Sequence, residues 1–291
     1  MDGYRGKEKA SPILFLKRAK KGDNTRMNIS SRPLLNDPRV LRLARVLLGV
    51  LSIAGFLALW EGLVRWQDYP PYILPGPGAV WARFLAAVAD GSLARHTGIT
   101  LMEVLGGLVL GVSIATLLGY LLAKSPLLDQ LVSPYIVALQ AFPVVALAPL
   151  LVIWIDNGLL RTMIVAALVL FFPVLVNTIA GLRSVEPELV DLMRSLQATR
   201  WQMFIKLEAP FALPVLLAGL KIGATLSVIG AVIGEFVGAD RGLGFLINLA
   251  QGLLDTPLMF VSLFTLAAIA LGLYGLVSLL EHRLLAWKRA A

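Results

Sequence analysis

The stretch Thr162-Met-Ile-Val-Ala-Ala-Leu-Val-Leu-Phe-Phe-Pro-Val-Leu-Val-Asn-Thr-Ile-Ala180 runs for nineteen residues without a charged side chain. Crossing the hydrocarbon of a bilayer takes about 20 such residues in a helix. Backbone amides in lipid must be satisfied internally, which leaves helices and closed barrels as spanning structures. Barrel strands are about ten residues long and alternate in polarity, whereas this run is longer and continuous, so it reads as a transmembrane helix. Five further runs have the same character: residues 46–60 (extending to 64 with Glu61 at the boundary), 98–123, 132–155, 213–237 and 260–280. Prolines fall at 134, 143 and 149 in the third run and at 173 in the fourth. Composition agrees: 58% of the 291 residues are hydrophobic and 15% charged, where a water-soluble chain carries about 25% charge. The expected fold is therefore an all-α integral membrane protein with about six transmembrane helices.

Charge gives an orientation. With the N-terminus in the cytoplasm, the inner segments 1–45, 124–131, 181–212 and 281–291 carry twelve, one, four and three Lys or Arg residues. The outer segments 65–97, 156–161 and 238–259 carry three, one and one, and Lys221 lies within the fifth run. The positive-inside rule favours this arrangement, with both termini cytoplasmic. Residues 1–43 read as a basic cytoplasmic tail and 44–291 as the membrane domain. No nucleic-acid module accompanies the tail, so its charge fits retention in the cytoplasm and contact with membrane lipid. Its apolar core, residues 13–16, is shorter than the roughly 7–15 residues of a cleavable signal. The chain has no cysteine, which excludes disulfides and thiolate-held metals.

Two connections are long enough to fold. Residues 65–97 contain an amphipathic run over 79–88. Residues 181–212 carry Glu186, Glu188 and Asp191 near one helix start, where negative charge is favoured, and Arg194 toward its end. Apolar residues then recur at 201, 204 and 207, a helical spacing, before Pro210 and Pro214. The loop reads as helix, short turn, helix. It has no core of its own in which to bury its apolar side chains.

This loop resembles the signature loop of permease subunits in binding-protein-dependent ABC importers. The family pattern is approximately E-A-A, three residues, G, about nine residues, then I-x-L-P. Here Arg194-Ser195-Leu196, Ala198, Arg200-Trp201-Gln202, Phe204, Lys206, Pro210 and Leu213-Pro214 fit. Asp191-Leu-Met stands where the family has E-A-A, and Gln197 stands where it has the turn glycine. Gln197 must then avoid positive φ or carry strain of order 1 kcal/mol. Leu74-Pro-Gly-Pro77, Phe142-Pro-Val-Val-Ala-Leu-Ala-Pro149, Glu235 followed by Gly242-Leu-Gly-Phe-Leu, and Asp255-Thr-Pro257 are similar to the nitrate, sulfonate and taurine branch, as are riboflavin and thiamine-pyrimidine-precursor permeases. The resemblance covers about residues 60–291.

The resemblance implies a type I importer permease working with a second permease subunit (a homodimer or a heterodimer), two cytoplasmic ATPases and an extracytoplasmic solute-binding protein, in a bacterial inner membrane. It implies that the loop, with Glu186, Asp191, Arg194, Ser195, Leu196, Gln197, Ala198, Arg200, Trp201 and Phe204, docks on the ATPase. ATP belongs to that partner: the sequence has no G-x-x-x-x-G-K-[ST] phosphate loop, and no cofactor or metal is expected on this chain. Candidate pathway residues are Glu103, Pro143, Pro149, Lys221 and Glu235. Glu103 and Glu235 read alternatively as interfacial anchors, and Lys221 as a side chain snorkelling to the cytoplasm. Glycine pairs 107/111, 219/223 and 230/234 allow close helix approach. A secondary transporter would show matched broken repeats, and a membrane enzyme a cluster of acid, base or metal-ligating groups; neither pattern is apparent.

Overall fold

A computed structural model describes residues 38–287, and the expected basic tail lies almost wholly outside them. The described residues are helical and contain no strand. They fall into two units divided after Phe56. The first unit contributes the start of α1 (Pro38–Trp66), which begins earlier than the apolar run. The segment 47–66 is apolar enough to span a membrane.

From residue 57 onward the second unit holds α2 (Pro77–Ala89), α3 (Ser92–Lys124), α4 (Pro126–Gln140), α5 (Ala148–Trp154), α6 (Gly158–Arg183), α7 (Pro187–Ser195), α8 (Arg200–Met203), α9 (Ala209–Phe236), α10 (Leu243–Gly252) and α11 (Thr256–Leu284). Five helices among the described residues are long and apolar enough to span, or six if α4 and α5 count as one broken span. This agrees with the six runs.

The centre of the unit is α6 packed between α3 and α9. Lipid supplies no hydrophobic drive for helix association, so close van der Waals packing of small residues must supply it. A Cβ at Gly107 would lie 2.5 Å from Ala166 Cβ, and one at Gly230 would lie 2.5 Å from Ala166 Cα. Gly111 faces Ala167 and Leu170, Gly234 faces Thr162, and Gly223 faces Val174. All three glycine pairs therefore have partners within the subunit. Leu122, Leu170 and Leu175 fill the space between these helices, while Leu243, Ile247 and Val261 join α10 and α11 to the opposite end.

Two expectations are corrected. The third apolar run is two helices, α4 and a 3-10 turn (Val144–Leu147) leading into α5, bent by 84°. Pro143 caps that turn and Pro149 opens α5, positions where a missing N–H leaves nothing unpaired. The second helix of the 181–212 loop does not end before the fifth span. Helix α8 passes through a π-helical turn (Phe204–Glu208) into α9, giving one helical stretch Arg200–Phe236. The Ala209 N–H reaches back to the Phe204 carbonyl, and this wider π register accommodates Pro210 in the first turn of α9. The segment 238–259, read as a connection, carries α10.

Candidate functional site

The loop end of the unit is built from α7, the turn 196–199 and α8. Pro187 opens α7 and Glu188 lies in its first turn. Asp191 accepts from Arg194 at 3.0 Å, and the Ser195 hydroxyl donates to the Asp191 carbonyl at 3.0 Å. Leu196 ends the helix, and Gln197 takes φ 52°, the left-handed region that glycine occupies without penalty. The Gln197 and Ala198 amides bond back to Arg194 and Met193 carbonyls, which closes the turn. Thr199 then caps α8, accepting from the Gln202 N–H at 3.2 Å while its own N–H donates to Gln202 Oε1 at 2.9 Å, a reciprocal capping box.

This chemistry leaves an apolar face uncovered. Leu196 and Trp201 are each 68% exposed, and Leu192 and Ile205 are also exposed. Glu186, Asp191, Arg194, Ser195, Gln197 and Arg200 surround them on the surface, with Ala198 half-buried. Phe204 turns inward: it stacks on Trp201 at 5.9 Å and meets Tyr120 of α3 edge-on at 5.5 Å. A cavity of about 890 Å³ opens beside these rings, lined also by Thr116, Thr178 and Leu216. Ion pairs brace this end, Lys124 to Glu208 and Arg183 to Asp129 at 2.7 Å. The second half of the loop is thus tied to α3, while its tip is exposed.

The candidate pathway residues lie apart from one another. Pro143 and Pro149 punctuate the broken α4–α5 span, described above. Lys221 pairs with Glu281 of α11 and lies 5.8 Å from the Tyr274 ring; its charge is met within the subunit. Glu103 and Glu235 do come together, although they are distant in sequence. They are 3% and 1% exposed and lie close to one another. Sequence reading missed their companions. Thr100 donates to Glu235 Oε1 at 2.6 Å and accepts from the Leu243 N–H at 2.8 Å. Gly244 N–H donates to Glu235 Oε2. His96 Nδ1 accepts from the Gly242 N–H at 3.0 Å. Arg161 donates to the Gly238 carbonyl at 2.6 Å. The one signal available was Thr100 and Glu103 on the same face of a helix one turn apart.

The cluster explains the stretch Glu235 … Gly242-Leu-Gly244. Gly242 has φ 103°, and a Cβ there would run into the Glu235 carboxyl. Asp255-Thr-Pro257 is likewise a helix start: the Asp255 side chain accepts from the Leu258 N–H and Pro257 follows at the first turn of α11. Asp255 also pairs with Arg83 of α2 at 2.8 Å, and the Thr256 hydroxyl donates to the Tyr72 carbonyl at 2.6 Å. Among the described residues no group of His, Asp and Glu is arranged to hold a metal.

Known proteins agree with this architecture. The family described as binding-protein-dependent transport system inner membrane component matches residues 94–286. The riboflavin transport system permease protein of Chloroflexus aurantiacus is 46% identical over 86% of this chain and 95% of its own length. The formylaminopyrimidine transport permease protein of Halalkalibacterium halodurans is 33% identical over 80% of this chain and 92% of its own. The taurine transport system permease protein of Escherichia coli is 29% identical over 84% and 90%. A crystal structure of an amino acid ABC transporter superposes with a TM-score of 0.50, covering 70% of this chain and 96% of that one, at 18% identity, which supports the fold. With a multi-helix membrane core and a match across most of its length, this chain belongs to the binding-protein-dependent transport family as an inner-membrane ABC permease subunit.

Proposed function

We propose that this chain forms the translocation channel of an ATP-driven importer, and that its solute is riboflavin or a similarly flat, uncharged vitamin. The observation that carries the first part is the uncovered apolar tip of the 181–212 loop. Trp201 and Leu196 are exposed at the tip of a loop whose Phe204 and Glu208 contact α3. A buried aromatic anchor is the usual energetic centre of an interface, and a loop outside the hydrocarbon has no lipid to cover it. The occupant fitting a permease of this family is a cytoplasmic ATPase, which hydrolyses the ATP; two such ATPases, a second permease subunit and a solute-binding protein complete the machine. The loop and both termini then face the cytoplasm, while α2 and α10 face outward.

The solute reading rests on the riboflavin permease of Chloroflexus aurantiacus and on charge. An anionic sulfonate or nitrate crossing low-dielectric surroundings needs an available cation. Among the described residues, Lys221 inside one span and Arg161 at the outer end of another are already engaged, by Glu281 and by the Gly238 carbonyl. An uncharged ring system needs no such partner. Uptake of labelled riboflavin in cells carrying the complete transporter tests this reading. Riboflavin uptake unaffected by excess taurine is the expected result; taurine uptake without riboflavin uptake would move the chain to the sulfonate branch.

A further inference from the structure

Helix α2 is apolar on both of its faces. Val80 and Ala87 are buried in the core that holds Leu258 and Val261, and Phe84 packs against that core. The exposed positions of the helix are glycine or alanine apart from Trp81, Leu85 and Val88, which are 62%, 50% and 51% exposed. The charged side chain of α2, Arg83, is turned to Asp255, to which it donates at 2.8 Å. A helix that is apolar all round belongs in apolar surroundings. With 13 residues, α2 is too short to cross a bilayer, a length typical of a core helix or an interfacial segment. Its inner face is covered by its own subunit, and its outer face is not.

The neighbours of α2 set its depth. Asp255, the partner of Arg83, caps the start of α11, and the Thr256 hydroxyl donates to the Tyr72 carbonyl just ahead of α2. Asp90 and Gly91 join α2 directly to the first turn of α3. Helix α3 runs for 33 residues, about 50 Å at 1.5 Å per residue, and its far end carries Lys124, which pairs with Glu208 beside the 181–212 loop. Helix α2 therefore lies where two spans begin, at the end of the unit opposite the loop. Trp66, Tyr69 and Tyr72, which precede it, are exposed as well, and Trp and Tyr rings favour the headgroup level of a membrane. The span to which α2 is bound exposes Leu263, Phe264 and Leu271 further along, a surface suited to hydrocarbon.

We propose that α2 lies in the plane of the membrane interface, with Trp81, Leu85 and Val88 among lipid headgroups and upper acyl chains and with Val80 and Phe84 against its own subunit. Helices of this kind seat their apolar face at the boundary between headgroups and acyl chains. Lipid is the occupant that the face fits. It offers no charge for a polar partner to pair with, and a soluble protein that docks and leaves would return an exposed apolar patch to water each time. Lipid is present throughout. The stack of Trp81 on Phe84 at 5.3 Å and the ion pair of Arg83 with Asp255 hold the helix in the orientation that turns this face outward. The assignment does not depend on the identity of the solute.

The test uses the complete transporter, with cysteines removed from the partner subunits, in vesicles of phosphatidylethanolamine and phosphatidylglycerol. This chain has no cysteine, so Leu85→Cys, or Ala82→Cys on the same exposed face, carries a single fluorescent label. Asp90→Cys serves as the water reference and Gly272→Cys, within α11 and with nothing inside 4 Å, as the mid-span reference. Quenching is read with nitroxides placed high or low on the lipid acyl chain and with a water-soluble quencher. Labels at 82 and 85 should be quenched several-fold more by the high nitroxide than by the low one, and several-fold less by the soluble quencher than the label at 90. Soluble quenching at 82 and 85 equal to that at 90 would put α2 in water and overturn the proposal. Protection from both lipid and soluble quenchers would overturn it in favour of a protein cover: a second permease subunit if the complex alone shows it, a solute-binding protein if it appears only when that protein is added. Strongest quenching by the low nitroxide, as expected at 272, would contradict an interfacial position and send α2 into the hydrocarbon.

Discussion

Gln197 occupies a left-handed turn at φ 52°, a conformation that costs an L-residue roughly 1–2 kcal/mol and glycine almost nothing. The sequence makes the position visible, because a glycine is expected there by resemblance. Which of its two outcomes holds, strain or a different turn, is decided only by the backbone bonds from Gln197 and Ala198 to α7. Gln197→Gly should therefore raise the stability of the loop by up to about 1 kcal/mol, read as a higher melting temperature of the purified complex. A lower melting temperature would mean that the Gln197 side chain makes a compensating contact. Lys221 gives a second test at this scale. Its partner Glu281 lies sixty residues away on α11, a pairing with no local signal. Lys221→Met leaves that carboxylate without its partner and should cost about 3 kcal/mol. Adding Glu281→Gln should restore most of the melting temperature; no recovery in the double variant would show that the two side chains act independently.

At the scale of helices, the legible features were those set by one-dimensional constraints. A span must be apolar for about 20 residues, so α3, α6, α9 and α11 stand out. The prolines at 143 and 149 marked a break in the third run, but the 84° bend depends on what packs around it. Pro210 and Pro214 pointed to a helix end, and the π turn before α9 overrode them. Helix α10 was too short and too closely bounded by Gly242 and Gly252 to be separated from a loop. The cluster of Thr100, Glu103, Thr162 and Glu235 draws on three helices, and no sequence spacing encodes it. Helix packing yields its own prediction. Gly107→Val or Gly230→Val would drive a side chain into α6, and in particular against Ala166. Overpacking of this kind costs about 1–3 kcal/mol or more, and with backbone in the way the folded yield should fall sharply. Gly272→Val, where nothing lies within 4 Å, should express normally. Equal yields for all three would contradict the close approach of α3, α6 and α9.

For the whole molecule, the testable properties are its orientation in the membrane and its coupling to the ATPase. By the positive-inside rule, the uneven distribution of Lys and Arg predicts residue 188 inside and residue 90 outside. In a chain without cysteine, single cysteines at these positions report directly: an impermeant thiol reagent applied to intact cells should modify position 90 and spare position 188. The reverse pattern would invert the topology and move the 181–212 loop away from any cytoplasmic ATPase. The central claim is that the exposed tip of this loop is the docking surface for that ATPase. Leu196 and Trp201 are largely solvent-exposed, so replacing both with alanine should leave the permease folded. The measurement is recovery of the ATPase with the Leu196→Ala, Trp201→Ala permease, taken with hydrolysis and riboflavin uptake on the same preparation. The account predicts normal permease levels with either loss of the ATPase from the complex or hydrolysis that no longer drives uptake. ATPase recovery, hydrolysis and uptake all at the wild-type level would contradict it.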